Sequence, residues 1–166
     1  VLDALAMLPL AVPGLVMAFG YFALSRDGGP FNWLMIGDDP MFLLVLAYAV
    51  RRLPYVVRAA AAGYQQTSPV LEEAAQNLGA TPFRAMLRVT LPLITANLIA
   101  GGLLAFSFAM LEVSDSLILA QQREHFPITN AIYNLADALG TGPQLASALG
   151  VWAMVFLAIT IIGASV

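Results

Sequence analysis

The sequence contains no cysteine, no lysine and a single histidine. Without cysteine, disulfide bonds, thiolate catalysis and cysteine-ligated metal sites are all excluded. His125 stands beside Glu124, but there is no second histidine or spaced ligand set, so we expect a loop residue and not a metal ligand. There is also no P-loop, no Gly-x-Ser-x-Gly motif and no pair of histidines. We therefore expect neither a cofactor nor catalytic residues.

Charge is scarce as well. Only 10% of the 166 residues are charged, whereas soluble domains carry roughly 25%. The seven arginines and ten acidic residues give a net charge of -3, which leaves no basic surface for nucleic acid. Hydrophobic residues, in contrast, make up 60% of the chain. These values predict a membrane protein, and about four spans of about 20 residues fit into its length.

The first predicted span runs from Leu5 to Leu24, which is the length of a helix that crosses a bilayer. Pro9, Pro13 and Gly14 would free backbone groups within the hydrocarbon. Such groups are tolerated where neighbouring helices or a lined cavity satisfy them, which favours a functional, inward face. The alternative is that these residues are ordinary, because glycine and proline are frequent in membrane helices. Residues 25–40, rich in glycine, proline and aspartate, predict a loop.

The second predicted span is short, because the apolar run Met41–Val50 is followed at once by Arg51 and Arg52. These arginines either extend to the nearby membrane surface, which we favour, or line a water-filled vestibule. Residues 51–88 contain five of the seven arginines, and positive residues mark the cytoplasmic side of a membrane. We therefore place residues 51–90 in the cytoplasm and the preceding loop outside.

The third predicted span runs outwards through Leu91–Ala120, and Gly101 and Gly102 would let a neighbouring backbone approach it closely. A short external helix is predicted within residues 128–139, where apolar side chains recur at helical spacing. Leu145–Val166 is the fourth predicted span. The chain starts without methionine or a basic segment and stops within an apolar run, so we expect a longer protein with helices upstream and a cytoplasmic end downstream.

Between the second and third spans lies a polar insert with the punctuation of two short helices. Ser68 can cap the first helix, Pro69 fits its first turn, and two acidic residues lie near its positive end. Gly79 can end that helix in a left-handed conformation. A second helix then begins at Thr81 and Pro82. Two short helices at an angle form a knob that another protein can enclose; a simple capped loop is the alternative.

Seven residues of this insert follow a recognisable spacing. Glu-Ala-Ala is followed after three residues by glycine, after nine more by valine, and after one further residue by leucine and proline. This resembles the EAA loop of ABC importer permeases, which differs only in an isoleucine at the valine position. The stretches "LPLAVPGLVMAFGYF" and "RRLPYVVRAAAAGYQQ" are similar to the core of such permeases too. The resemblance implies six ATPase-coupling positions: Glu73, Ala74, Ala75, Gly79, Leu91 and Pro92.

The resemblance implies an all-α, polytopic membrane bundle, the transmembrane core of a type I ABC importer. Residues 1–166 would form one transmembrane domain, and residues 66–91 the cytoplasmic coupling loop within it. The implied partners are ATP-binding cassette ATPase subunits, a second permease domain, a periplasmic or extracellular solute-binding protein and the lipid bilayer. The implied location is the cytoplasmic (inner) membrane of a bacterium or archaeon. ATP would be hydrolysed by the partner, so the permease itself would not be an enzyme.

Candidate pathway residues lie on the third span. Asn97 and Ser107 can line the pathway, or they can bond between helices without touching a solute. Glu112 lies about 30 Å along the predicted helix from Pro92, at 1.5 Å per residue. With Asp115, three positions later, it forms an acidic face near the outer boundary. This face can meet a cationic solute at a gate, or it can mark the solvated end of the helix.

The end of the third predicted span and the segment after it bear on the identity of the solute. The stretches "EVSDSLILA" and "FPITNAIY" look most like permeases for ferric iron, thiamine or polyamines. We expect ferric iron, with thiamine, a polyamine or another small solute as the alternative.

An intramembrane enzyme would need buried catalytic residues, of which the sequence offers none. A channel or passive assembly protein would have no need of a cytoplasmic docking knob.

Overall fold

The computed structural model describes residues 2–35 and 40–165, and in that part of the chain every regular element is helical. This confirms the all-α class. The turns include 3₁₀ helices at Asn32–Leu34 and Arg123–His125 and a π-helical turn at Met86–Thr90. The α-helices are α1 (Leu2–Ala11), α2 (Gly14–Leu24), α3 (Met41–Gln66), α4 (Pro69–Asn77), α5 (Pro82–Ala85), α6 (Leu91–Leu93), α7 (Thr95–Met110), α8 (Ser114–Leu119), α9 (Ile128–Ala136) and α10 (Gly142–Ser165).

The first apolar stretch is not the single helix that the sequence predicted. α1 and α2 meet at an angle of 105°. Pro13 has no backbone N–H to continue the helix and adopts an extended conformation (ψ 139°), so a new helix starts at Gly14. Gly14 is buried at this bend. The loop that follows contains Gly28 with φ 81°; residues 36–39 of the predicted loop lie outside the described part of the chain.

The second stretch forms one continuous helix that is much longer than its apolar part. α3 extends for 26 residues, or about 39 Å at 1.5 Å per residue. It continues past Arg51 and Arg52, and past the buried Pro54, to Gln66. The two arginines therefore lie in the middle of α3 and not at either of its ends.

The third stretch is bent where it enters the predicted membrane region. The segment Pro82–Leu93 meets α7 at an angle of 66°. Ile94, between them, has nearly zero ψ (φ -93°, ψ 2°), and Pro92 just before it cannot donate a backbone hydrogen bond to the preceding turn. The prediction of one helix over Leu91–Ala120 is therefore wrong at its start.

A second break in the same stretch lies at the predicted gate. α7 ends at Met110, and α8 begins at Ser114. The Glu112 carboxylate accepts a hydrogen bond of 3.0 Å from the Ser114 backbone N–H, as a side chain that caps a helix does. Glu112 therefore lies in a turn between two helices. The predicted position on a continuous helix, shared with Asp115 on one face, is wrong.

Helix packing brings these breaks together. α3 packs along α7, and α2 packs against α8. A Cβ on Gly101 would lie 2.5 Å from the Ala59 Cβ, whereas nothing lies within 4 Å of a Cβ on Gly102. The predicted close approach is confirmed for Gly101 and wrong for Gly102. The main apolar core lies between α2, α3 and α8 and contains Ala18, Leu43, Leu44, Ala47, Leu119 and Ala120.

The remaining helices agree with the sequence in their bounds. α9 lies within the predicted residues 128–139, and Gly140 follows with φ 77°. α10 contains the fourth predicted span up to Ser165, and Val166 lies outside the described residues. Within residues 2–35 and 40–165, Gly142–Gly163 is the one unbroken helical stretch that is long and apolar enough to cross a membrane. Two bent pairs, α1 with α2 and Pro82–Leu93 with α7, would each add a span if the pair is counted as one.

Candidate functional site: a helical knob and a buried charge cluster

The insert folds into the helical knob that the sequence predicted, here defined as residues 68–90. Pro69 occupies the first turn of α4, and Gly79 turns the chain with φ 91°. The Thr81 hydroxyl then accepts a hydrogen bond of 3.3 Å from the Arg84 backbone N–H and caps α5. Ser68 stands before α4, but its side chain makes no capping hydrogen bond, so the predicted cap is wrong.

Several apolar side chains of the knob are exposed. Leu78 is 90% exposed and Phe83 is 67% exposed, one before and one after the Gly79 turn. Other apolar side chains exposed on the knob are Val70, Leu71, Met86 and Leu87. Clustered exposed apolar side chains are typical of surfaces that contact a protein or a membrane.

The six motif positions divide between the knob and its root. Glu73, Ala74 and Gly79 are exposed on the knob, and Ala75 is half-buried. Leu91 and Pro92 instead form the start of α6, where the knob meets the bent span.

A hydrogen bond that the sequence did not indicate connects α4 to the far end of the knob. The Thr90 hydroxyl donates to Glu72 Oε2 over 3.1 Å, and Thr90 is buried. Beside this bond lies a cavity of about 240 Å³. The one feature of the sequence that points to this hydrogen bond is a pair of adjacent glutamates, of which only Glu73 fits the motif. The spacing of the motif does not show which of the two side chains turns inwards.

A buried cluster of four charged residues, here called the charge cluster, lies where α3 meets the turn between α7 and α8. Arg52 Nη2 donates to Glu112 Oε2 at 2.6 Å, and Arg51 Nε lies 3.4 Å from the same oxygen. Arg51 Nη1 lies 3.8 Å from Asp115 Oδ1. The side chains of Arg51 and Arg52 are only 14% and 12% exposed. The prediction that they extend to the membrane surface is wrong, because each meets a carboxylate within the fold.

Backbone carbonyls of the α7–α8 turn complete the surroundings of the charge cluster. Arg52 Nη2 also donates to the Phe108 carbonyl over 2.9 Å. The Glu112 carbonyl accepts from the Tyr48 hydroxyl at 3.4 Å and from the Thr129 hydroxyl at 2.6 Å. Helices α3, α7 and α9 are thereby tied to one turn. Two arginines and two carboxylates give the cluster no net charge.

Part of the charge cluster has unmet hydrogen-bonding capacity. Both carboxylate oxygens of Asp115, which is 1% exposed, lack a hydrogen-bond partner, as does Arg52 Nε. Arg51 also sits against the α1–α2 bend, since a Cβ on Gly14 would lie 2.7 Å from Arg51 Nη2. The ion pairs therefore join two helix breaks, but they leave Asp115 held by charge attraction alone.

The four candidate pathway residues separate into two groups. Glu112 and Asp115 come together in the charge cluster. Asn97 packs against Gly63 of α3, where a Cβ would lie 2.9 Å from the Asn97 Cγ. The Ser107 hydroxyl is buried, donates to the Leu103 carbonyl (2.8 Å) and lies 3.5 Å from the Thr160 hydroxyl of α10. Asn97 and Ser107 thus lie in contacts between helices, which is the alternative that the sequence left open.

Metal-binding geometry is absent from the described residues, where no three histidine, cysteine, aspartate or glutamate side chains come together. His125 lies in the 3₁₀ turn before α9.

The all-helical architecture and the long apolar helix Gly142–Gly163 agree with an integral membrane protein. Residues 1–165 match the family of binding-protein-dependent transport system inner membrane components. The chain belongs to this family.

Characterised relatives share about a third of the sequence. The chain is 32% identical over 124 residues to the sulfate transport system permease protein CysT of Escherichia coli (strain K12), covering 72% of this chain and 45% of the relative. It is 31% identical over 149 residues to the molybdenum transport system permease protein ModB of the same organism, covering 84% and 64%. It is 31% identical over 120 residues to the Fe(3+)-transport system permease protein FbpB 2 of Haemophilus influenzae, covering 71% and 22%. The chain thus spans about half the length, or less, of most of these relatives.

Proposed function

We propose that residues 1–166 form a transmembrane domain of the permease subunit of an ATP-driven importer, with residues 66–91 as its coupling loop. The observation that carries this proposal is the set of exposed apolar side chains around the Gly79 turn, in a segment with the spacing of the coupling motif. A cleft in an ATP-binding cassette subunit would enclose these side chains. Nucleotide-driven closure of the ATPase subunits would then move the knob and switch the pathway between outward and inward access.

The other partners follow from this role. A second permease domain, identical or homologous, would complete the pathway, and an external solute-binding protein would deliver the solute. ATP hydrolysis belongs to the cassette subunit, so the permease contributes binding surfaces and no catalytic group.

In the proposed membrane arrangement, the bent pair α1–α2, the long helix α3, the bent unit α6–α7 and α10 are four spans of a bacterial or archaeal cytoplasmic membrane. Arg51 lies ten residues after Met41, or about 15 Å along α3. Charges at that depth are acceptable when they are paired, as they are in the charge cluster. The cytoplasmic segment would then begin near Gln66, later than residue 51.

The coupling role is tested by a substitution at Gly79. Valine there would force a β-branched residue into a left-handed conformation, at a cost of about 1–2 kcal/mol, and distort the knob. We expect Gly79→Val to abolish transport and the ATPase response to loaded binding protein in reconstituted vesicles. Gly28→Val is the matched control, because Gly28 has a similar φ (81°) and open space around it but lies outside the knob. Intact transport with an unaltered ATPase response in Gly79→Val would refute the assignment.

For the solute, we propose a small inorganic ion, and first an oxyanion such as sulfate or molybdate. The names of two relatives support this choice, and the cluster's arginines offset both of its carboxylates. Uptake of labelled sulfate, molybdate and ferric iron, each with its own binding protein, decides between the candidates. If neither sulfate nor molybdate is taken up, the oxyanion proposal is refuted.

Ferric iron is the second candidate, supported by the name of the Fe(3+) relative and by two acidic residues near the proposed outer gate, the buried Asp115 and the partly buried Glu112. In that case Glu112 and Asp115 would face the cation when their arginines move away. Glu112→Gln should then lower iron uptake; unchanged uptake would remove the gate role. Thiamine and polyamines stay predictions from the sequence resemblance.

A further inference from the structure

The hydrogen bond between Glu72 and Thr90, here called the tie, has a role in coupling. We propose that it makes the knob and the start of the bent span move as one body, so that Glu72 is a positioning residue for the ATP-driven step. Its neighbour Glu73 faces outwards to the ATPase. The inference rests on the proposed function, because it explains how motion of the knob reaches the membrane helices.

The tie joins the two ends of the insert. Glu72 lies in the first turn of α4, and Thr90 is the last residue of the π-helical turn, directly before α6. The two residues are 18 positions apart, and their side chains meet at 3.1 Å. Thr90 is only 4% exposed, so water competes little for its hydroxyl. A hydrogen bond to a charged group in such a place is among the stronger ones in a protein.

Little of α4 is covered by apolar packing. This helix contacts α5 and the π-helical turn, but none of its residues is fully buried. The cavity of about 240 Å³ beside the tie, lined among others by Tyr64, Ser68 and Val89, leaves space between α4 and the end of α3. Because buried apolar area is the main stabilising contribution in most folded segments, the lack of fully buried residues gives directional polar contacts a large share in setting the orientation of α4.

The connections on both sides of the knob can act as hinges. α3 ends at Gln66, and Thr67 and Ser68 lead into α4 in an extended conformation. On the other side, the chain bends by 66° at Ile94. Force applied at Leu78, at the far end of α4, would therefore rotate this helix about Ser68 unless α4 is fixed elsewhere. The tie fixes it to the residue that precedes α6.

Four substitutions separate the hydrogen bond from shape and charge. Thr90→Val keeps the shape of the side chain but removes the donor, and Glu72→Ala removes the acceptor. Thr90→Ser keeps a hydroxyl, and Glu72→Gln keeps an acceptor oxygen without the charge. Each variant is purified with its ATPase partner and reconstituted into vesicles. The measurements are solute transported per ATP hydrolysed, ATPase rate, and the amount and thermal midpoint of the assembled complex.

We expect Thr90→Val and Glu72→Ala to lower transport per ATP by about tenfold, the change that corresponds to loss of one hydrogen bond to a charged group. The ATPase rate and the amount of complex should stay near those of the unaltered protein. Thr90→Ser and Glu72→Gln should retain coupling. The double variant Thr90→Val/Glu72→Ala should be no worse than either single one, because both remove the same contact.

Three results would overturn the inference: unchanged transport per ATP in both bond-breaking variants, equal loss in all four variants, or an additive loss in the double variant. A loss of assembled complex in proportion to transport would point to a purely structural role and overturn it too. Absence of ATP-coupled transport in the unaltered complex would instead refute the proposed function, and the inference with it.

Chemical cross-linking provides a second test, to which residues 1–166 contribute no cysteine of their own. Glu72→Cys/Thr90→Cys introduces two thiols in place of the tie. A short bismethanethiosulfonate reagent that links them should restore transport per ATP, whereas a monofunctional methanethiosulfonate should not. Equal effects of the two reagents would contradict the role of the tie.

Discussion

Removing one carboxylate from the charge cluster should destabilise the protein strongly. Glu112→Gln changes the cluster from no net charge to a net charge of +1. Among the described residues it removes the carboxylate that pairs with Arg52, which is left with uncharged acceptors, the new amide oxygen and the Phe108 carbonyl. Breaking a buried ion pair by removal of one partner costs about 3–5 kcal/mol, because the other charge stays buried and uncompensated.

This cost converts to a measurable shift. For a domain of this size, each 1 kcal/mol corresponds to about 2–4 °C in the thermal midpoint, so the midpoint should fall by about 6–20 °C. The assay is thermal unfolding of the purified complex in lipid nanodiscs, followed by circular dichroism of the helices.

The matched control is the double variant Glu112→Gln/Arg52→Gln, which restores a cluster with no net charge. Its midpoint should lie above that of Glu112→Gln, although it lacks more native contacts. A shift of the single variant below about 2 °C, less than 1 kcal/mol by the same conversion, would refute the reasoning. So would a double variant whose loss equals the sum of the two single losses, because residues in direct contact should not be additive.

Two further substitutions test the packing around the site. Gly101→Leu should destabilise the protein by at least about 1–3 kcal/mol, since its side chain would collide with Ala59, whereas Gly102→Leu points into open space and should have little effect; equal midpoints for the two would contradict the packing of α3 on α7. Asn130→Leu should lower stability by about 0.5–1.5 kcal/mol, because the buried amide donates to the Ser116 carbonyl over 2.9 Å, and this carbonyl would keep only its bond from the Ala120 backbone N–H; an unchanged unfolding midpoint would show that the Asn130 bond does not hold α9 against α8.

The knob could be read from the sequence because its determinants are local. Pro69, Gly79 and Pro82 act through the backbone geometry of their own turns, and the structure has a left-handed glycine and helix starts where these residues predict them. Composition and apolar runs predicted a membrane protein in the same local way, and the resemblance to a permease family added the all-helical class. The α1–α2 bend also has a local cause, because Pro13 lies within the apolar run. The prediction of one helix there rested on the length of this run alone.

Contacts between distant segments needed the tertiary structure. Arg52 and Glu112 are 60 residues apart, and no spacing rule assigns a partner over that distance. The sequence therefore suggested arginines at the membrane surface and carboxylates free to meet a solute. Helix packing decided otherwise, because the α7–α8 break brings both carboxylates against α3, where attraction between opposite charges in a buried setting is stronger than in water.

The amino-acid sequence by itself determined that the apolar stretches are helical, where the knob turns and which motif the knob carries, because these depend on neighbouring residues. Only the tertiary structure decided which glutamate of the pair Glu72 and Glu73 turns inwards and which charges neutralise one another. Those outcomes depend on the direction in which each helix face points once the helices have bent and packed.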